Sequence, residues 1–143
     1  MTYASEPAVA RLLEGPFTVA TATGTGPLTT VNPRFLVYAT PALGPTSTLL
    51  VHRLACDLAA THGQPITLNP VHVAQAMGLS RSNLVMAVAR AVTFGYADVN
   101  VEDRLLRIAA FVGFTDRQLA KMPPDIRQDW ARKVRGTPWQ VTP

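Results

Sequence analysis

The stretch Val73-Ala74-Gln75-Ala76-Met77-Gly78-Leu79-Ser80-Arg81-Ser82-Asn83-Leu84-Val85-Met86-Ala87-Val88-Ala89-Arg90 decides how the rest of the chain is read. It holds two helical patterns with a tight turn between them. Asn69 and Pro70 open the first, because Asn accepts the free amide hydrogens of a first turn and Pro has none to leave unpaired. Val73, Ala74 and Met77 fall on one face of that helix. Gly78 ends it, since glycine takes the positive φ that such a reversal needs without a Cβ clash. Ser80 caps the second helix, which runs to about Phe94 and is closed by Gly95. Leu84, Val88 and either Ala91 or Val92 form its buried stripe. Arg81, Ser82, Asn83, Met86 and Arg90 fall on its other faces.

Working outward, Thr46-Ser47-Thr48 offers caps for a helix over 46–62 ended by Gly63, with Leu50, Leu54 and Leu58 on one face and Val51 and Ala55 beside them. Ile66-Thr67-Leu68 is a minimal strand. On the other side, residues 96–101 alternate apolar and polar, Glu102-Asp103 makes a polar tip, and 105–111 forms a second strand. The order is therefore helix, short strand, helix, tight turn, helix, hairpin. Ala74 is small where two helices must cross closely, and Leu79 is the apolar plug after the turn.

On these residues, residues 46–111, about half of the chain, resemble the winged helix-turn-helix transcription regulators of the MarR/ArsR type. The carrying features are Ala74, Gly78-Leu79-Ser80, and the closing run Ala91-Val92-Thr93-Phe94-Gly95-Tyr96. Pro41-Ala42-Leu43-Gly44-Pro45-Thr46 together with Met122-Pro123-Pro124-Asp125-Ile126-Arg127 also loosely resembles a poorly characterised actinobacterial group of small winged-helix proteins, which implies no activity. The resemblance implies a mainly α, α+β fold with an arm or small flap over 1–45, a winged helix-turn-helix domain over 46–114, and C-terminal helices with a tail over 115–143. It further implies a homodimer that binds double-stranded DNA and regulates transcription, with the helix 81–92 in the major groove. Ser80, Arg81, Ser82, Asn83 and Met86 would face the bases. Arg suits guanine and Asn suits adenine. Arg90 and the wing residues Arg104 and Arg107 would meet phosphates.

Two departures support a different use of the same fold. Val85, Met86, Ala87 and Ala89 make the reading helix apolar, and Glu102-Asp103 puts negative charge on the wing tip, which repels phosphate. The alternative is a winged-helix module that binds another protein within a larger assembly and does not bind DNA.

The bulk composition is compatible with both. The chain has 143 residues, 48% hydrophobic and only 15% charged, with a formal net charge of +4 and a pI near 9.8. The basic excess lies mostly in 115–143, where six basic residues face three Asp. The single cysteine, Cys56, excludes an intrachain disulfide and suits a reducing compartment. Met1-Thr2-Tyr3-Ala4-Ser5-Glu6-Pro7 has neither the basic start nor the apolar core of a secretory signal. No apolar run is long enough to span a bilayer. The expected location is the cytoplasm.

The flanks are less structured in their signals. A short helix fits 7–13, with Gly15-Pro16 after it. Residues 17–23 are strand-like and Gly24-Thr25-Gly26-Pro27 is a turn. Residues 29–31 and 35–40 read as short extended pieces, and 41–45 as a linker. A helix over 115–122 stops at Pro123-Pro124, and an amphipathic helix over 125–134 aligns Ile126, Trp130 and Val134. Its Arg127, Arg132, Lys133 and Arg135 read as a solvated face, or alternatively as a phosphate-contacting or dimer-forming one. Trp139, in the tail, would dock on a partner subunit.

Other constellations carry little chemistry. His52 and Cys56 share a helical face, but two ligands do not make a metal site unless His62 or His72 completes it. Gly24-Thr25-Gly26 lacks the lysine and the following helix of a phosphate loop. No nucleophile elbow and no catalytic set of carboxylates is visible. The expectation is no enzyme, no metal and no cofactor.

Overall fold

Two strands far apart in sequence lie side by side at the centre of the sheet: β1 (Phe17–Ala22) runs parallel to β5 (Leu105–Ala109), with Val19 opposite Leu106. The computed structural model of the chain describes residues 3–23 and 26–135. The turn residues Gly24 and Thr25, the tail with Trp139, and the side chains of Val134 and Arg135 lie outside what is described. On its other edge β1 pairs antiparallel with β3 (Ile66–Leu68), and β5 forms a hairpin with β4 (Ala97–Asn100). The sheet order is β3-β1-β5-β4. A second, two-stranded sheet joins β2 (Leu28–Thr29) to β6 (Phe111–Val112).

Seven helices complete an α+β fold among the described residues: α1 (Glu6–Leu12), α2 (Arg34–Leu43), α3 (Pro45–Ala60), α4 (Pro70–Met77), α5 (Arg81–Thr93), α6 (Asp116–Lys121) and α7 (Pro124–Arg135). One buried core joins them. Val9 and Leu12 of α1, Val19 of β1, Leu50 and Val51 of α3, Leu84 of α5 and Leu106 of β5 all contribute. On α3, Leu50, Leu54 and Leu58 are buried with Val51 and Ala55, as the spacing requires. Thr115 and Gln118 cap α6 reciprocally, side chain to backbone in both directions.

The N-terminal third departs from the expectation of extended pieces and a linker. Residues 34–43 are helical, and only Gly44, at φ 89°, separates α2 from α3. The reason is visible in the apolar spacing: Phe35, Tyr38, Ala39, Ala42 and Leu43 are buried along one helical stripe. Asn32 starts the helix by accepting the Arg34 amide hydrogen at 2.9 Å. Pro41 sits inside the helix and removes one backbone donor, while the Thr40 hydroxyl donates to the Leu36 carbonyl within the same turn. The β-branched residues and bracketing prolines mimic an extended segment, but burial of the stripe outweighs propensity.

At the other end, the Ile126–Trp130 face of α7 closes over α2. Trp130 is buried, with its ring centroid 5.1 Å from that of Tyr38 and 4.8 Å from that of Phe114, both edge-on. Asp129 accepts from the Tyr38 hydroxyl and pairs with Arg34. The hydrogen bond from Tyr38, joined by that from Arg34, holds the Asp129 carboxyl below the usual carboxylate range, against the opposing effect of burial. Burial, with the hydrogen bond to Asp129, raises the Tyr38 phenol. Arg127, Arg132 and Lys133 face solvent.

Candidate nucleic-acid interface

The unit formed by α4, its turn and α5 is built by local chemistry. The Asn69 side chain accepts from the Val71 amide at 2.9 Å and Pro70 takes the first helical position. Gly78 adopts the left-handed conformation at φ 68°, which an L side chain would enter at a cost. Behind it the Leu79 amide donates to the Ala74 carbonyl at 2.8 Å, tying the turn shut. Ser80 then caps α5 by accepting from the Asn83 amide at 3.2 Å.

The helix α5 is gripped along most of its length. Leu84, Val85, Ala87, Val88, Ala89 and Ala91 are all buried, and Val92 is half-buried. The Ser47 hydroxyl of α3 donates to the Ala87 carbonyl at 2.8 Å, and the Ser5 hydroxyl beside α1 donates to the Ala89 carbonyl at 3.1 Å. The alanines permit those close approaches. The apolar character of α5 is thus an inward-facing property: Val85 is only 9% exposed. The apolar outer face inferred for this helix from its sequence reduces to Met86, itself half-buried.

What remains open is the first turn. Arg81, Ser82 and Asn83 are exposed, as is the cap Ser80. Among the described residues the Arg81 guanidinium makes one hydrogen bond, from Nη2 to the Ala10 carbonyl at 3.2 Å. Farther along the same face, a shallow hollow of about 380 Å³ is bordered by Asn83, Met86 and Arg90 together with Tyr3 and Thr46. Tyr3 and Thr46 were not legible as neighbours of α5, because nothing local in their sequence points there.

The other arginines expected at phosphates are occupied. Arg90 donates to the Leu43 carbonyl, to the Ala42 carbonyl at 3.3 Å and to the Tyr3 hydroxyl at 2.6 Å, and it lies 5.0 Å over the Phe94 ring. It fills the place of a C-terminal cap for α2, whose last carbonyls have no helical partner. Arg104 does the same for the end of α1 and the turn after it. It donates to the carbonyls of Leu12 at 2.5 Å, Gly15 at 3.0 Å and Pro16 at 2.8 Å. Arg107 pairs with Asp98 across the β4–β5 hairpin, both side chains about half exposed. At the hairpin tip Asp103 is held by Asn100 through two hydrogen bonds of 3.0 Å, and Glu102 is exposed.

Outside this unit, His52 Nδ1 lies 2.8 Å from the Thr30 carbonyl, which can only accept, so Nδ1 carries the hydrogen when the ring is neutral. His52 Nε2 then faces Cys56 Sγ at 3.6 Å. Neither His62 nor His72 joins them, and the described residues contain no group of three or more His, Cys, Asp or Glu arranged to hold a metal. No described helix is long and apolar enough to cross a membrane. Compared with protein-family models, with curated proteins and with solved structures, the chain gives no significant match in any of the three.

Proposed function

We propose that this chain is a winged-helix DNA-binding protein, a transcriptional regulator that works in the cytoplasm as a homodimer and places the amino end of α5 in the major groove. One observation carries the reading. On a helix otherwise gripped by α1, α3 and the core, the single open and polar stretch is Ser80-Arg81-Ser82-Asn83, and the N-terminal residues of such a helix are the ones that reach base edges. The succession α3, β3, α4, α5, β4, β5 supports the winged-helix assignment, with one departure: β1 stands between β3 and the hairpin.

The contact set is accordingly short. Arg81 and Asn83 supply guanine- and adenine-type donors and acceptors. Ser80 and Ser82 suit phosphate or base, and Met86 supplies an apolar contact. Arg107 serves a phosphate only by leaving Asp98. Arg90 and Arg104 hold the platform. In a gel-shift assay with fragmented genomic DNA, about 10 µM protein retains DNA at about 50 mM salt and releases it as salt rises, because phosphate contacts displace counterions. Absence of any complex under those conditions sinks the proposal.

The second use of this fold, a protein-binding module in a larger assembly, is favoured by the hairpin alone. Asp98, Glu102 and Asp103 are exposed there, and the two arginines beside them are engaged. A stoichiometric protein partner recovered without DNA in a pull-down would favour it over DNA binding.

A further inference from the structure

A groove of about 470 Å³ lies between the turn after α1 and the outer side of α4, and it reaches the first residue of α5. Leu13, Pro16, Pro70, Val71 and Leu79 make its apolar wall, and Glu14 and Arg81 are its charged residues. The volume falls in the range of small-molecule sites, about 300–1,000 Å³. Val71 is 58% exposed, more than any other exposed large hydrophobic residue described. Apolar surface left in water forgoes about 25 cal/mol per Å² that a ligand can recover. Two of the wall residues are prolines with fixed φ, so little ordering is required before a ligand enters.

The charged residues narrow the ligand. Arg81 spends one donor on the Ala10 carbonyl, at 3.2 Å, and its remaining donors have no partner among the described residues. A guanidinium fork matches a carboxylate in two parallel hydrogen bonds. Arg81 also stands at the positive end of α5, where an anion is favoured. Glu14 adds a negative charge to the rim, which disfavours a dianion such as a phosphate ester.

We propose that this groove binds a small aliphatic monocarboxylate, with its chain on Pro16, Pro70, Val71 and Leu79 and its carboxylate on Arg81. Binding occupies the one arginine of the open turn of α5. Ligand and DNA therefore compete for Arg81, a consequence that rests on the DNA-binding function proposed above, whereas the binding itself does not.

Calorimetric titration of the full chain with sodium octanoate tests it without DNA. Saturable binding is expected with a Kd of about 1 mM or tighter. Octylammonium, equal in chain length and opposite in charge, gives none. Arg81→Gln and Val71→Asp each weaken octanoate binding about tenfold or more, which is about 1.4 kcal/mol. Val71 is exposed, so its replacement leaves the core intact, and an unchanged thermal melt verifies this. Absent saturation by octanoate, equal binding of octylammonium, or undiminished binding by either variant overturns the site. Octanoate binding by a chain that never retains DNA keeps the site and removes the function proposed above. Octanoate binding that leaves DNA retention unchanged overturns the competition.

Discussion

The two ends of α5 are built on opposite plans. At its amino end Arg81, Ser82 and Asn83 stand in solvent, with the Ser80 hydroxyl as their cap. From Leu84 onward most of the helix is buried or half-buried, and Arg90, the cation of its last turn, is spent on the carbonyls that end α2. A single helix thus combines a presentational end with an anchoring end. The lesson is that charge on a helix does not mark a binding face until its hydrogen-bond partners are known. Arg81 and Arg90 share residue type, helix and sign of charge, and differ in what holds them.

The largest effect comes from breaking the anchored part. Leu84 is 1% exposed, so Leu84→Ala removes buried methyl groups and leaves a cavity, costing about 2–5 kcal/mol. Asn83→Ala, its neighbour in sequence, costs within about 0.5 kcal/mol because the side chain is exposed and the bond to the Ser80 cap comes from the backbone amide, which alanine keeps. Urea denaturation of both variants measures the contrast. Similar losses for the two would mean that the amino end is not a free surface.

Tyr96 extends the anchored end past Gly95. Its hydroxyl is buried with no hydrogen-bond partner of good geometry among the described residues, and burial pushes its ionisation from 10.0 up to about 12, an effect that nearby Gln118 only tempers. The sign follows from the raised value: the unfolded chain loses the phenol proton first. Stability is fully present below about pH 10 and falls as pH rises toward 12, by about 3 kcal/mol in all. Spectrophotometric titration should show a tyrosine ionising well above pH 10, together with falling stability. Normal titration of all the tyrosines would contradict the enclosure of this end.

Arg104 and Arg107 repeat the comparison on the hairpin. Arg104→Ala leaves the carbonyls of Leu12, Gly15 and Pro16 without their side-chain donor and costs about 1–3 kcal/mol. In the folded protein it should also loosen α1, read as faster amide exchange there.

How much of this was legible varies with the range of the interaction. The run from α3 to β5 could be read from local signals: Asn69-Pro70, Gly78, Ser80 and the Leu50-Leu54-Leu58 stripe each act within one or two turns. The α2 helix was not, because Pro33, Pro41 and the β-branched Val37 and Thr40 disguise a stripe that only packing reveals. The place of β1 between β3 and β5 is a pairing across many residues, with no local signature. The candidate site divides the same way. The open turn 80–83 was legible from caps and spacing. The engagement of Arg90 and Arg104 was not, since their partners are backbone carbonyls of distant segments, which no residue type announces.

The smallest effect is also the most discriminating. Arg107 and Asp98 pair on the surface at 48% and 54% side-chain exposure, so Arg107→Ala costs the fold about 0–1 kcal/mol. Under the DNA-binding function proposed above, its further consequence turns on whether the hairpin approaches phosphate. If it does, losing Arg107 removes one phosphate contact and lowers the salt slope of binding by about one. Asp98→Asn frees the same arginine and removes a repelling carboxylate, so it should tighten binding. A hairpin that stays clear of DNA leaves both affinities and the slope unchanged, and the contact surface then contracts to the amino end of α5. Opposite shifts for the two variants would instead extend it from that helix to the hairpin, with Asp98 acting as an internal competitor for Arg107.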